Sequence, residues 1–321
     1  MSRLIVTKDE LDNMSEFDKG ISKFIESTIP FYSTYYKSIQ NYILLEGKTD
    51  KLFFEKVISK ENNYLMCVED VSSSCAPFKG DCKELWSSGK HAIIFIGSQI
   101  NMNKQKYNIY GIVDRDFENE YPNMAYPRVY SDKTHDLETM LVHSDSNMLN
   151  KIFVYDKDKY NMALYLAYQL AIIKKRIHLS KFHDVPDQKI QNSSHVAHFI
   201  YNNKIDVSKF ASYINNNSKS NNNIAKKSNK INIPLLLDIM RKNKEIDRNN
   251  LVELDYNKFV SFFPKDFYEV VNGHDLLNCF LFVYRMNYSN SAITEKTIQN
   301  YDLNNFSKTS LFSKLKDKNL L

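Results

Sequence analysis

Short apolar runs punctuate an otherwise polar chain, and residues that favour turns or helix starts bound each of them. Tyr42-Ile43-Leu44-Leu45 stops at Glu46-Gly47-Lys48, the pattern of a strand buried on both faces. Thr49 can cap a helix over Asp50 to Ser59, whose apolar positions Leu52, Phe53, Val57 and Ile58 gather on one side. Further strands are expected at Tyr64–Val68, Ala92–Ile96, Ile109–Val113 and Tyr126–Tyr130, with helices at Phe78–Ser88 and Gln99–Lys106. Short strands alternating with helices over residues 40–140 predict an α/β fold, a mainly parallel sheet flanked by helices. In such sheets functional groups collect at the carboxyl ends of the strands.

Around this core the pattern changes. Residues 1–40 read as a helical lead-in, with Glu16 to Gln40 interrupted at Pro30, and residues 41–145 as the α/β domain. Residues 146–321 read as a basic, mainly helical region, with helices at Asn161–His178, Pro234–Asn243, Asp275–Met286 and Ser310–Lys318. An Asn/Lys-rich stretch at 215–232 has the low complexity of a flexible loop. No internal repeat is visible.

Composition narrows the class without choosing a function. The chain has 321 residues, 43% of them apolar and 25% charged, with 7 Gly and 7 Pro, which excludes collagen-like and disordered classes. Met162 to Ile173 is too short and too interrupted to cross a membrane, which takes roughly 20 apolar residues, and the apolar run near Met1 is too short for a secretory signal. The expected location is the cytoplasm. Cys67, Cys75, Cys82 and Cys279 form no C-x-x-C pair, so reduced thiols are expected rather than disulfides or a zinc site. His178, His183, His195 and His198 offer no clear third ligand for zinc either. The net charge of +5 is uneven: residues 151–233 hold 14 Lys and Arg against 5 Asp and Glu, net +9, which leaves the rest at −4. A basic segment beside an acidic one suits polyanion binding at a carboxylate site, and equally a solvated helical surface.

The candidate chemistry lies at strand ends. Glu46 closes one apolar strand, and Gly47 after it would let the backbone turn and approach a ligand. Asp114-Arg115-Asp116 closes another, and in an extended chain residues i and i+2 project to one face. Three carboxylates so placed suit Mg2+ or Mn2+, hard cations that keep waters and accept phosphate oxygens. Each carboxylate alone could equally be a surface turn acid.

Ile43 to Asp50 and Tyr110 to Asp116 resemble the two signature motifs of the Toprim fold, shared by topoisomerases, primases and overcoming-lysogenization-defect nucleases. Thr134-His135-Asp136-Leu137-Glu138-Thr139-Met140-Leu141, with the later Asn272-Gly273-His274-Asp275-Leu276-Leu277, is similar to the AriB-type family of Toprim-like nucleases, effectors of the PARIS anti-phage defence systems. The resemblance spans roughly residues 40–285. It implies a Toprim-like sheet, Mg2+ or Mn2+ held by Glu46, Asp114 and Asp116, and an acidic cluster extended by Asp136 and Glu138. As i and i+2 at a helix start, Asp136 and Glu138 would not share a face, whereas a turn before the helix would bring them together. The alternative makes Asp136 an N-cap and Glu138 a first-turn acid. Lys48 is a candidate phosphate contact, and His135 and His274 candidates for orienting substrate or ligands, with Asp275 in support. Lys174, Lys175 and Arg176 are candidate nucleic-acid contacts.

The resemblance further implies an antiviral toxin of the abortive-infection kind, an endoribonuclease cleaving tRNA. It would be restrained by an ABC-type, AriA-like ATPase sensor and active as a homodimer. The chain itself contains no G-x-x-x-x-G-K-[ST] run, so nucleotide sensing would fall to a partner. Two other readings stay open: a DNA nickase of the overcoming-lysogenization-defect type, and a non-enzymatic interaction subunit.

Overall fold

The computed structural model describes residues 39–67, 93, 108–115, 128–179, 196–198, 200–202, 204–217 and 256–321. The expected lead-in, the helices at 78–88, 99–106 and 234–243, and the loop beyond residue 217 lie outside them. The chain forms two compact units, one over Thr134–Tyr301 and the other over the residues up to Lys133 together with Asp302–Leu321.

The α/β unit is built on strand β1 (Asn41–Leu45), every residue of which is buried. Helix α1 (Lys48–Val57) follows and turns Phe53 and Phe54 inward. Strands β2 (Asn63–Cys67), β3 (Asn108–Ile112) and β4 (Val129–Tyr130) complete a sheet of order β2-β1-β3-β4 with every pairing parallel. The α/β expectation and the parallel sheet therefore hold. Strand β1 sits between neighbours, which is why its sequence is apolar without alternation.

An asparagine row fixes the register at the amino end of the sheet. Asn41 lies opposite both Asn63 and Asn108. Its amide donates to Asn63 Oδ1 at 2.8 Å and its Oδ1 accepts from Asn108 Nδ2 at 3.1 Å. A slip of one residue in either neighbour would break these bonds, the one to Asn63 fully buried, and turn apolar side chains to the wrong face. The opposite, carboxyl end carries the acidic residues.

Two local details differ from expectation. Helix α1 starts two residues early, because the Asp50 carboxylate accepts the Gly47 N–H at 2.9 Å and ties down the first turn, a task expected of Thr49. Gly47 is extended, with φ −147°, and a Cβ there would meet Asp50 only at ordinary contact distance. Its backbone does not require glycine. Ile93, expected in a strand, has helical backbone and is buried; a short apolar run does not distinguish the two by periodicity. Gly111 is where glycine is needed, since a Cβ would collide with Ile93 Cγ2.

The C-terminal segment belongs to this same unit. Its 3-10 turns (Leu303–Lys308) and last helix (Ser310–Lys316) bury Phe306, Leu311 and Leu315. The Phe306 ring packs edge-on against Phe53, with centroids 5.6 Å apart. Asn63 Nδ2 donates to Leu320 O at 3.1 Å. The expected boundary near residue 145 thus differs from the observed one at Lys133, and residues 302–321 fall with the sheet. The physical reason is size: a segment this short cannot bury its own apolar side chains.

The other unit is helical. Its elements are α2 (Leu137–Ser144), α3 (Met148–Ile152), α4 (Lys157–Leu179), the hairpin β5 (Ile200–Tyr201) and β6 (Lys204–Ile205), and α5 (Val207–Asn217). Then come α6 (Tyr256–Ser261), α7 (Phe267–Val270), α8 (Gly273–Val283) and α9 (Asn290–Asn300). Because α5 reaches Asn217, the first residues of the expected loop are helical. The core lies along α4, where Ala163, Ala167, Leu170 and Lys174 recur at helical spacing and are all buried. Tyr168 stacks on Phe267 at 5.8 Å, and Phe259 closes the group. Among the described residues, no helix is long and apolar enough to cross a membrane.

Candidate functional site

The first cluster grows out of the sheet. Leu45 and Ile112 are register partners, so the residues that follow them emerge side by side at the carboxyl end. Val113 N–H donates to Tyr130 O at 2.9 Å, extending the β3–β4 ladder one step further. Asp114 N–H then donates to Glu46 Oε1 at 2.8 Å. The two acids come together through that bond, both half-buried. Lys48 is exposed at the first position of α1. Asp116 lies outside the described residues, and among the described residues no group of three or more His, Cys, Asp or Glu side chains is arranged to hold a metal ion.

Beside this pair a loop collects cations. Arg115 donates a guanidinium N–H to Lys133 O, and Lys314 Nζ donates to Ser131 O at 2.6 Å. Ser310 anchors the loop, accepting the Lys133 N–H at 2.9 Å and donating to Asp132 Oδ1 at 2.6 Å, which also accepts Leu311 N–H at 3.0 Å. Partial burial lowers the Lys314 ammonium, Asp132 opposes that, and the nearby Arg115 charge lowers it further.

A second polar cluster lies in the helical unit and carries the His-Asp-x-Glu block. Asp136 is the N-cap of α2. It accepts Thr139 N–H and Thr139 Oγ1–H on Oδ1 at 3.0 and 2.8 Å, and Gly273 N–H on Oδ2 at 2.6 Å. His135 Nδ1 lies 3.2 Å from the same Oδ2 and its ring is fully buried. Burial alone would raise the Asp136 carboxyl, but the bond to His135 and its charge, then the Gly273 and Thr139 amides, outweigh it and hold the group at about 2. Glu138 is a buried first-turn acid of α2 that accepts from Thr294 Oγ1 at 3.1 Å, with His274 Nδ1 at 3.5 Å. Burial pushes Glu138 up, the His274 charge pulls it back, and Asp136 pushes it up again. His274 is half-exposed and raised, first by Glu138.

No protein-family model, no curated protein and no solved structure matches this chain.

The basic run on α4 divides. Lys174 is 1% exposed, and its Nζ donates to Asp275 Oδ2 at 2.6 Å, so its ammonium is held inside the unit rather than offered to a phosphate. That corrects the expected role of Lys174 and gives Asp275 a structural partner. Lys175 is half-buried, and the Arg176 side chain lies outside the described residues. Of the four central histidines only His198 has a described side chain, and it is exposed. Cys67 and Cys279 are both buried, the latter's thiol pushed well up by burial.

Sequence reasoning missed two features that the fold brings out. One is the inward-facing Lys174, whose spacing from Ala163, Ala167 and Leu170 puts it on the buried face of α4. The other is Lys314, which has no comparable signal, because nothing local ties the last helix to the loop after β4.

Proposed function

We propose that this chain is a Toprim-type, metal-dependent endonuclease that cuts a phosphodiester backbone and serves as the toxin effector of an anti-phage system. What supports the reading is one bond, the Asp114 N–H donated to Glu46 Oε1 at 2.8 Å, which joins two acids at the carboxyl end of adjacent parallel strands. Carboxylate oxygens are the donor type that Mg2+ and Mn2+ prefer, so the pair fits such a cation, with Asp116 as the third ligand implied by the motif. A bound cation there would polarise the phosphate and lower the pKa of a water.

The chain's own part is to hold and orient. The Asp114 amide fixes one Glu46 oxygen, so the carboxylate presents a defined edge instead of rotating. Lys48, exposed at the start of α1, is the proposed phosphate contact. RNA, and tRNA in particular, is the proposed substrate on the strength of the motif resemblance, as are an ATPase sensor that restrains the enzyme and a homodimer as its active form.

The test is cleavage by the purified chain, with magnesium, of total tRNA, single-stranded RNA and supercoiled DNA. Glu46→Ala, or Asp114→Ala with Asp116→Ala, should abolish cleavage and cellular toxicity without loss of folding. Full activity in a folded Glu46→Ala protein would overturn the assignment. Nicking of supercoiled DNA alone would select the nickase reading, and absence of cleavage on every substrate the interaction-subunit reading. Co-purification with the product of a neighbouring ATPase gene, and size-exclusion chromatography of the chain with and without it, test restraint and dimerisation.

A further inference from the structure

We propose that Arg115 and Lys314 form a phosphate-binding subsite that grips the backbone of the substrate strand next to Glu46 and Asp114, with the C-terminal helix supplying half of it. The subsite rests on the nuclease reading of the carboxylate pair and adds to it a place where the polyanion is held.

The geometry comes from the strand register. Ile112 pairs with Tyr130, and the ladder continues through Val113 N–H to Tyr130 O. Carried forward in step, Asp114 runs beside Asp132 and Arg115 beside Lys133, where the Arg115 guanidinium meets the Lys133 carbonyl. The last helix arrives at the same loop from the far end of the chain. Its Lys314 ammonium binds Ser131 O at 2.6 Å. Two carbonyls two residues apart are separated by at most ~7 Å, and the Arg115 charge is near enough to act on Lys314, a spacing that suits consecutive phosphates of one strand.

Charge makes the arrangement directional. Asp132, the acid of the loop between Ser131 and Lys133, has its Oδ1 already taken by Ser310 Oγ and Leu311 N. Lys316 and Lys318, both exposed with Asp317 between them, leave the end of the segment net positive. Holding two cations side by side costs Coulomb energy, and the Arg115 charge indeed disfavours the charged form of Lys314. An anion placed between them relieves that cost. Arginine supplies planar donors matched to phosphate oxygens, and lysine a compact point charge with three donors, of which Ser131 takes one. Arg115 directly follows Asp114 and turns its guanidinium to the loop after β4, so the phosphate it holds neighbours the carboxylate pair on that side.

The experiment is binding of a fluorescein-labelled single-stranded RNA to the full chain in EDTA, followed by anisotropy over a range of salt. Lys314→Met keeps the apolar stem and removes the charge, Lys314→Arg restores it, and Lys296→Ala, in the helical unit, is the control. Lys314→Met should weaken binding on the order of tenfold and flatten the plot of log K against log salt by about 0.7, the slope owed to one neutralised phosphate of a single strand. Lys314→Arg should recover most of both, the control should change neither, and with magnesium Lys314→Met should raise KM more than it lowers kcat. Inorganic phosphate at millimolar level should compete with RNA on the wild type and less on Lys314→Met. Unchanged affinity and slope in Lys314→Met, with normal melting, would overturn the subsite even if Glu46→Ala is inactive. Weakened binding in Lys314→Met alongside undiminished cleavage by Glu46→Ala would uphold the subsite and overturn the carboxylate reading instead.

Discussion

Asp136 Oδ2 accepts the backbone N–H of Gly273 at 2.6 Å, joining the start of α2 to the start of α8 across 137 residues of sequence. The two motifs that stand apart in the chain, His135-Asp136-Leu137-Glu138 and Asn272-Gly273-His274-Asp275, are therefore two sides of one buried polar cluster. Asp136 caps α2 through Thr139 and bonds to the first residue of α8. Its carboxylate must be ionised to accept these bonds together with the His135 contact.

That ionisation ties the cluster to acid stability. The Asp136 carboxyl is held at about 2 in the fold against an ordinary value of 3.8. A depressed acid stabilises the fold above its unfolded value and loses that contribution as the pH falls through the folded one. Between about pH 4 and pH 2 the wild type should lose about 2 kcal/mol at this site. Asp136→Asn should start out less stable at pH 6 and lose less on acidification. Urea midpoints at pH 6 and pH 3 measure the difference, and parallel losses in the two proteins would contradict it.

Gly273 should tolerate no side chain. A Cβ there would collide with the Glu138 Cβ and with Asp136 Oδ1, and would press on the Thr139 amide. None of these is the loose end of a flexible chain. Gly273→Ala should cost about 1–3 kcal/mol by overpacking, seen as a lower melting temperature. An unchanged melting temperature would mean that α8 can move away from α2 freely.

Lys174 and Asp275 should behave as a unit, because both are 1% exposed and they are bonded at 2.6 Å. Removing one partner leaves the other charged and buried. Lys174→Met should therefore destabilise the protein by about 3–5 kcal/mol, while Lys174→Met with Asp275→Leu should recover much of that loss. Denaturant midpoints of the two single variants and the double variant form the cycle. Additive losses in the double variant would show that the pair is not coupled.

These residues also show how far sequence reaches. The sheet is legible because β1 and β3 are apolar runs ending in acids, and local pattern carries that information. Asp136 as an N-cap and Glu138 as a first-turn acid are legible too, as the alternative to an extension of the metal-binding acidic cluster. Lys174 is deceptive because Lys174-Lys175-Arg176 looks like a solvated helix end, although its spacing from Leu170 and Ala167 places it on the buried face. Whether a helix has a buried polar position depends on finding a partner, and Asp275 stands 101 residues away. The return of residues 302–321 to the sheet is not legible at all. It rests on long-range contacts such as Phe306 on Phe53 and Asp132 with Ser310, which leave no periodicity behind.

Glu138 and His274, 3.5 Å apart, should make stability depend on pH near neutrality. Burial raises Glu138, and the Glu138 carboxylate raises His274 above its ordinary 6.5. A raised histidine stabilises the fold in full below its unfolded value and loses that contribution as the pH climbs through the folded one. A raised acid has the same sign, favouring the fold at low pH and opposing it once ionised without its partner. The pair should thus weaken as the pH rises above the unfolded histidine value of about 6.5. His274→Gln removes the cation and leaves Glu138 bonded to Thr294 but uncompensated. The variant should be less stable than the wild type at pH 6, and the gap should narrow as the pH rises above the unfolded histidine value of about 6.5 and His274 loses its charge. Urea midpoints at pH 6, 7.5 and 9 follow the gap directly. A gap of constant size across that range would show that His274 contributes packing at this site and not charge.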